Sequence, residues 1–162
     1  MTRRVSAGIL LYRDNDGQTE VLLAHPGGPF FVKRDHGHWT VPKGEVADGD
    51  ELIATAYREF AEETGHNLTD VSRRRDSVLI DLGSVVQASG KRVHCWAIEG
   101  NLDPAAASSN TFEMPWPPGS GRIGTFPEID RLAWFSLSEA RQHANRSQAE
   151  FIDRLAAALA TG

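Results

Sequence analysis

Residues 50–65, DELIATAYREFAEETG, constrain the chain more than any other stretch. Ile53, Ala56, Tyr57, Phe60 and Thr64 recur at the 3.6-residue period of an α-helix and fall on one side of it. Glu59, Glu62 and Glu63 stand at i, i+3 and i+4, which places three carboxylates on one helix face, a turn apart. Gly65 follows where a helix commonly closes on a left-handed residue. The apolar side must be buried against a partner layer. The acidic side is self-repelling, at a cost of about a few tenths of a kcal/mol per exposed like-charge pair. Acidic helix faces are usually plain solvated surface. Clustered carboxylates are also the oxygen ligands that hard divalent cations take, Mg²⁺ first and Mn²⁺ as the alternative. A cation held there against phosphate oxygens would neutralise protein and substrate together. Arg58 can reach Glu62 at i+4 and orient its carboxylate.

Around this helix the chain reads as alternating strands and helices. Val5–Tyr12 and Val21–His25 are apolar strands joined by an Asp-Asn-Asp-Gly turn at 14–17. Trp39–Val41 is expected to be a strand closed by Pro42, and Val78–Leu82, Val85–Gln87, Arg92–Ile98 and Arg131–Phe135 are expected to be strands too. Ser136 with Glu139, and Ser147 with Glu150, have the spacing of capping boxes ahead of two further helices. Residues 103–127 hold five prolines and three glycines and show neither period, so they are expected to form a long irregular loop. Phe112, Met114 and Trp116 argue that this loop is ordered. No internal repeat or linker divides the chain, and 162 residues fit one domain spanning 1–162. The expected fold class is α/β, with a mixed β-sheet and helices on both faces.

Bulk properties exclude some functions. A net charge of −5 argues against a nucleic-acid polymer as partner, because such binders present a basic face. No apolar run approaches the roughly 18 residues that span a membrane, and the N-terminal stretch reads as a first strand rather than a signal peptide. Cys95 is the only cysteine, which removes internal disulfides and multi-cysteine zinc sites and fits a cytoplasmic location. His36-x-His38 could begin a metal pair, but no third ligand has suitable spacing, so both read as loop residues. His94 and Cys95 read as strand packing. The G-x-G-x-x-G string at 119–124 lacks the strand before and helix after it that a dinucleotide fingerprint needs.

From Gly44 to His66 the chain resembles the Nudix box, G-x(5)-E-x(7)-R-E-U-x-E-E-x-G-U, where U is bulky and apolar. Gly44, Arg58, Glu59, Phe60, Glu62, Glu63 and Gly65 stand at matching positions. Asp50 replaces a glutamate and His66 an apolar residue, which leaves the helix-start salt bridge and one packing contact open. HPGGPF, KRVHCWA, FEMPWPPGSGR and FPEIDRLAWF extend the similarity to a bacterial Nudix subgroup described as nucleoside-triphosphate pyrophosphohydrolases. HWTVPKG is similar to the corresponding stretch of diadenosine-polyphosphate and diphosphoinositol-polyphosphate hydrolases.

The resemblance implies an α/β/α sandwich and Mg²⁺-dependent attack of water on a phosphoanhydride. The metal would be held by Glu59, Glu62 and Glu63, joined by the Gly44 carbonyl. Glu59, Glu62 and Arg58 would serve catalysis. The general base varies across the family: Glu59, or outside the box Glu113 or Glu128, with Glu128 preferred because it enters the Arg131–Phe135 strand directly. Lys43 could meet a phosphate, joined by Lys33, Arg34, Lys91 and Arg92 if these converge. Arg122 and Trp116 are candidate lid residues, closing on phosphate and stacking on a base. Trp39 is a further candidate stacking surface, although a tryptophan there is more often core. The expected partner is a small nucleotide, a nucleoside triphosphate or dinucleoside polyphosphate, bound by a monomer or homodimer. Inositol pyrophosphates need a denser basic pocket, and a non-catalytic nucleotide sensor would be expected to lose part of the glutamate trio.

Overall fold

The computed structural model describes residues 4–74 and 76–161, so the first three residues of the N-terminal stretch, Arg75 and Gly162 lie outside it. In chain order the elements are β1 (Val5–Asn15), β2 (Gln18–Pro26), β3 (Lys43–Glu45), α1 (Leu52–Thr64), α2 (Leu68–Val71), β4 (Ile80–Val86), β5 (Arg92–Glu99), β6 (Thr111–Pro115), β7 (Ile123–Pro127), β8 (Ile129–Ser136), α3 (Leu137–His143) and α4 (Ala149–Thr161). The main sheet runs β4-β5-β1-β2-β8, with β3 added beside β1. β1 and β5 are parallel and their other pairings antiparallel, so the sheet is mixed. Helices cover both faces, which gives the α/β/α sandwich. No helix of the described residues is long and apolar enough to cross a membrane.

Strand alternation explains the two cores. On β1, Ala7, Ile9 and Leu11 face one side with Ala56 and Phe60 of α1 and Leu68 of α2. Leu10, between them, faces Ala140 of α3 and Phe151, Ile152 and Leu155 of α4. β2 splits in the same way, Leu22 and Ala24 toward α1, Val21 and Leu23 toward α3 and α4. A strand buried on both faces has to read as a continuous apolar run, as these two do.

The first hairpin turn is tighter than expected. β1 runs on to Asn15, and Asp16-Gly17 alone makes the turn, with φ of 52° and 85°. This left-handed pair matches the twist of the flanking strands. The two strands expected at 78–87 are one, β4. Its register shifts between Asp81 and Ser84, where left-handed Gly83 donates its N–H to the Asp81 side chain at 2.8 Å.

Other expectations are corrected. Trp39–Val41 is not a strand: Trp39 and Thr40 make isolated bridges to Ala144 and Ala24, and Val41 donates its N–H to the buried side chain of Gln148 at 2.9 Å. The strand comes after Pro42, at β3. Residues 103–127 are not irregular. They hold a short 3-10 turn at Pro104–Ala106 and then the β6–β7 hairpin, in which Phe112 faces Phe126 and Met114 faces Gly124. A period of two runs through Phe112, Met114 and Trp116. It was obscured because only one hairpin face is covered and prolines stand at the strand ends. Ser147 does not cap the last helix. Asn145 accepts the Ser147 N–H through its side chain and the Ala149 N–H through its carbonyl. The capping box at Ser136 and Glu139 is formed in both directions.

Candidate active site

Gly8 is the first reason a site exists here. A Cβ on it would lie 2.7 Å from the Pro42 carbonyl oxygen and 2.8 Å from Lys43 Cβ. Without a side chain it lets β3 lie against β1, with Gly8 opposite Lys43 and Ala7 opposite Gly44. α1 packs across these strands through Ala56 and Phe60, both fully buried. Thr55 is buried as well, a position the apolar period does not mark. Gly65 ends the helix at φ 79°, its N–H donating to the Ala61 carbonyl.

Gly44 then meets the acidic face directly. A Cβ there would fall 1.9 Å from Glu59 Cδ and 2.2 and 2.3 Å from its two oxygens. Glycine is therefore required by close approach of a carboxylate. Glu63, at the edge of the acidic face nearest the sheet, accepts the Lys43 backbone N–H at 3.0 Å. Burial pushes its carboxyl up to about 8. Glu59 is also raised, first by burial and then by the neighbouring Glu62 charge. Glu62 is exposed.

Arg58 spans the cluster, 3.6 Å from Glu59 and 3.9 Å from Glu62, and it reaches Asp50 at 3.5 Å. The helix-start salt bridge left open by the glutamate-to-aspartate change is thus made with the shorter side chain. Glu51 precedes the helix without a side-chain capping bond.

Lys43 is half-buried, and its ammonium is held below the usual lysine range by burial and by the Lys91 charge. Two of the scattered cations therefore converge, Lys43 and Lys91. Lys33 and Arg34 are exposed on the loop after β2.

Glu128 lies in the same electrostatic neighbourhood, since its charge acts on Lys43, Glu59 and Glu63. Glu113 lies on the hairpin strand β6, opposite Thr125 of β7. Glu128 is held at its backbone: its N–H donates to the Asn110 carbonyl at 2.8 Å and its carbonyl accepts from Gly27 at 2.9 Å. Asn110 in turn donates to the Glu62 carbonyl at 2.9 Å, which ties the hairpin base to α1. Neither Asn110 nor Gly27 was singled out from sequence. HPGGPF held the only signal, a glycine pair. At Gly27 a Cβ would lie 1.9 Å from the Pro127 carbonyl oxygen.

Three candidate substrate residues lie elsewhere. Trp39 is 2% exposed. Its indole N–H donates to Asp35, Arg131 covers its ring, and His25 and Phe135 meet it edge-on. No open face is left for a base, so it is core. Trp116 and Arg122 sit at the far end of the hairpin, where the Trp116 N–H donates to the Arg122 carbonyl. The six steps from Asn110 to Trp116 span about 20 Å if extended at roughly 3.3 Å each. Trp116 packs on Phe30 with ring centroids 5.7 Å apart. Neither residue pairs with the carboxylates or Lys43 among the described residues. The glycine-rich string at 119–124 is hairpin loop and β7, not a strand-to-helix turn. Cys95 is fully buried, and burial pushes its thiol up, which suits packing rather than nucleophilic chemistry. A concavity of about 510 Å³ between Arg13, Ser72, Arg73, Glu99 and Asn101 lies at the other end of β1 and holds none of the site carboxylates.

The donor set fits a hard divalent cation. It is all oxygen, and one of its carboxyls, Glu63, is buried enough to be pushed up to about 8 even beside Lys43, so a bound cation would favour its ionised form. The three carboxylates share a face, but their ligand atoms do not all close to within 4.8 Å of one another. The tight three-ligand group among the described residues is a different one, Asp35, His36 and His143.

Comparison with known proteins bears on both fold and site. The family model described as NUDIX domain matches residues 2–155. An RNA pyrophosphohydrolase of Caulobacter vibrioides is 33% identical over 91 residues, 52% of this chain and 51% of that protein. One of Novosphingobium aromaticivorans is 37% identical over 70 residues, 38% of this chain and 44% of that protein. The chain thus matches about half the length of these curated relatives. Among solved structures, the C. elegans Ap4A hydrolase binary complex aligns with a TM-score of 0.67 at 23% identity, covering 97% of this chain and 99% of that one. The NUDIX domain of Shewanella oneidensis NrtR complexed with ADP ribose aligns at 0.65 and 16% identity, covering 98% and 90%. At these identities the structural matches speak for the fold alone. With the family model spanning nearly the whole sequence, the chain belongs to the Nudix family.

Proposed function

We propose that this protein is a Nudix hydrolase that cuts a phosphoanhydride bond in a nucleotide-linked di- or polyphosphate, using Mg²⁺ held by Glu59, Glu62 and Glu63. The observation that carries the proposal is the seating of Gly44 on the Glu59 carboxylate, with Glu63 bonded to the Lys43 N–H beside it. A surface acidic patch would need neither the close approach nor the buried carboxyl. When bound, Mg²⁺ would draw charge from the phosphate oxygens and favour attack at phosphorus.

The chain's own groups supply the rest. Arg58 orients Glu59 and Glu62 by bridging them. Lys43 supplies a cation within electrostatic reach of Glu59, Glu63 and Glu128, and Lys91 is close enough to act on it. Glu128 stands on a backbone pinned from both sides and is the candidate to take the proton of the attacking water. Glu59, raised above the usual carboxylate range, is the second candidate.

Two substrate classes are carried forward, the dinucleoside polyphosphates expected from the sequence and RNA, the substrate in the curated relatives' name. The second is favoured by the named activity of the curated relatives, although the acidic net charge pointed away from polymers. A Mg²⁺-dependent screen of nucleoside triphosphates, dinucleoside polyphosphates, ADP-ribose, a 5′-triphosphorylated oligoribonucleotide and inositol pyrophosphates tests this. Turnover of at least one nucleotide supports the reading. Tight binding with no product would point instead to a sensor, and turnover of inositol pyrophosphates alone would overturn the nucleotide assignment.

A further inference from the structure

The second place where ligand-type side chains converge is on the α3–α4 side of the sheet. There the loop from Asp35 to Trp39 is zipped to the end of α3. Gly37 N–H donates to the Gln142 carbonyl at 3.1 Å, Trp39 N–H to the His143 carbonyl at 3.0 Å, and Asn145 N–H to the Trp39 carbonyl at 2.7 Å. This lays Asp35 and His36 against His143. One ligand atom from each of the three lies within 4.8 Å of the others. His143 Nε2 and Asp35 Oδ1 are 3.7 Å apart, and the two imidazole rings stand nearly perpendicular, centroids 4.6 Å apart. His38 is not in the group, and His36, read from the sequence as a plain loop residue, is. The third ligand comes from a distant helix, which no local spacing could have indicated.

What surrounds the trio prepares it. His143 Nδ1 lies 2.8 Å from the Glu139 carbonyl, which can only accept, so Nδ1 carries a hydrogen and Nε2, the nitrogen facing Asp35, is the one left to bind a metal. The His143 ring is stacked on Phe135 at 4.6 Å and is only 16% exposed, which fixes its orientation. Asp35 is steadied by the Trp39 indole N–H at 2.8 Å. Such outer partners set tautomer and aim in histidine–carboxylate metal sites. Arg131, whose charge also acts on Asp35, lies over the Trp39 ring at 4.9 Å.

We propose that Asp35, His36 and His143 form a second divalent-metal site, suited to Zn²⁺ and separate from the carboxylate face. Two imidazoles with one carboxylate match the ligand preference of zinc and not that of Mg²⁺. Tetrahedral zinc with bonds of about 2.0–2.1 Å places its ligands roughly 3.3 Å apart. The side chains of Asp35 and His36 are exposed, and the ligand atoms, now within 4.8 Å of one another, would have to draw together by roughly 1 Å. The fourth position faces solvent. Metal there would clamp the loop after β2 to α3, and that loop also carries Phe30, which packs on the hairpin through Trp116.

The test uses tag-free protein in saturating Mg²⁺, so that the carboxylate face is filled. Zn²⁺ is titrated against a chromophoric chelator, and Co²⁺ binding is followed by its visible tetrahedral absorption. One equivalent is expected. His36→Gln and Asp35→Asn should each weaken Zn²⁺ binding by more than about 100-fold, beyond what losing an outer partner costs. Glu59→Gln should leave it unchanged. Both ligand variants lie on exposed side chains, and their Mg²⁺-dependent melting curves report whether they fold. Stoichiometric Zn²⁺ binding that survives His36→Gln, or is lost in Glu59→Gln, overturns the proposal, as does failure to compete with the chelator.

Discussion

Replacing Gly44 by alanine isolates the contact on which the site depends. The new Cβ would lie 1.9 Å from Glu59 Cδ, where ordinary van der Waals contact begins near 3.4 Å, so the carboxylate must retreat by about 1.5 Å (3.4 − 1.9). Gly44 has no positive φ, so the backbone accepts alanine without strain. Glu59 is not among the apolar side chains that hold α1 to the sheet, so the helix stays packed. A displacement of about 1 Å in a catalytic constellation can cost about 10²-fold in rate. That corresponds to about 2.7 kcal/mol of transition-state stabilisation. Gly44→Ala should therefore lose at least that much kcat/KM for whichever nucleotide is turned over, with a melting temperature close to the parent. Because the loss acts through Glu59, Gly44→Ala combined with Glu59→Ala should be no slower than Glu59→Ala alone. Gly44→Ala with more than half the parent activity would refute the reasoning. So would a double variant whose defect is the product of the two single ones.

Glu63 gives a pH dependence of unusual sign. Its folded-state carboxyl titrates at about 8 against an ordinary 4.5, so the metal-free folded protein holds an extra proton between those values. Its contribution to stability is full below about pH 4.5 and is lost as pH rises through about 8. Mg²⁺ should consequently raise the melting temperature more at about pH 8.5 than at about pH 6, and Glu63→Gln should remove that difference; an equal rise at both would count against it. Phe60→Ala empties the fully buried position that pins α1 to the sheet and should cost about 3–5 kcal/mol in urea unfolding, whereas Asp50→Asn, which breaks an exposed ion pair, should cost less than about 1 kcal/mol. Glu128→Gln should lower kcat by about 10²- to 10⁴-fold with little change in Mg²⁺ affinity, and loss of Mg²⁺ binding instead would make it a ligand rather than a base.

Local rules made α1 legible. Its apolar period, the i, i+3, i+4 carboxylates and the terminal glycine are all encoded within a few turns, and Gly44 followed from the family resemblance. What escaped was what depends on distant chain. Trp39 lies in a stretch that looks like a strand, but the side chain of Gln148, far along the sequence, accepts the bond that a neighbouring strand would have taken at Val41. The β6–β7 hairpin was hidden because its alternation covers one face only and is interrupted by proline and glycine. Its anchoring through Asn110 to the Glu62 carbonyl leaves no sequence trace at all. The placement of Trp116 and Arg122 at the hairpin end follows from that pairing register, which composition cannot give. The meeting of Asp35 and His36 with His143 is of the same kind.

Hydrolysis in ¹⁸O-labelled water, with Mg²⁺ titrated from zero, measures the central claim most directly when run on the parent chain beside Glu59→Gln and Glu62→Gln. Turnover should be absent in chelator, should rise with Mg²⁺, and should place the label on a phosphate of one product, with each variant losing nearly all of it. Undiminished turnover in excess chelator, or in either variant, would show that the acidic face of α1 is surface and that the chemistry lies elsewhere.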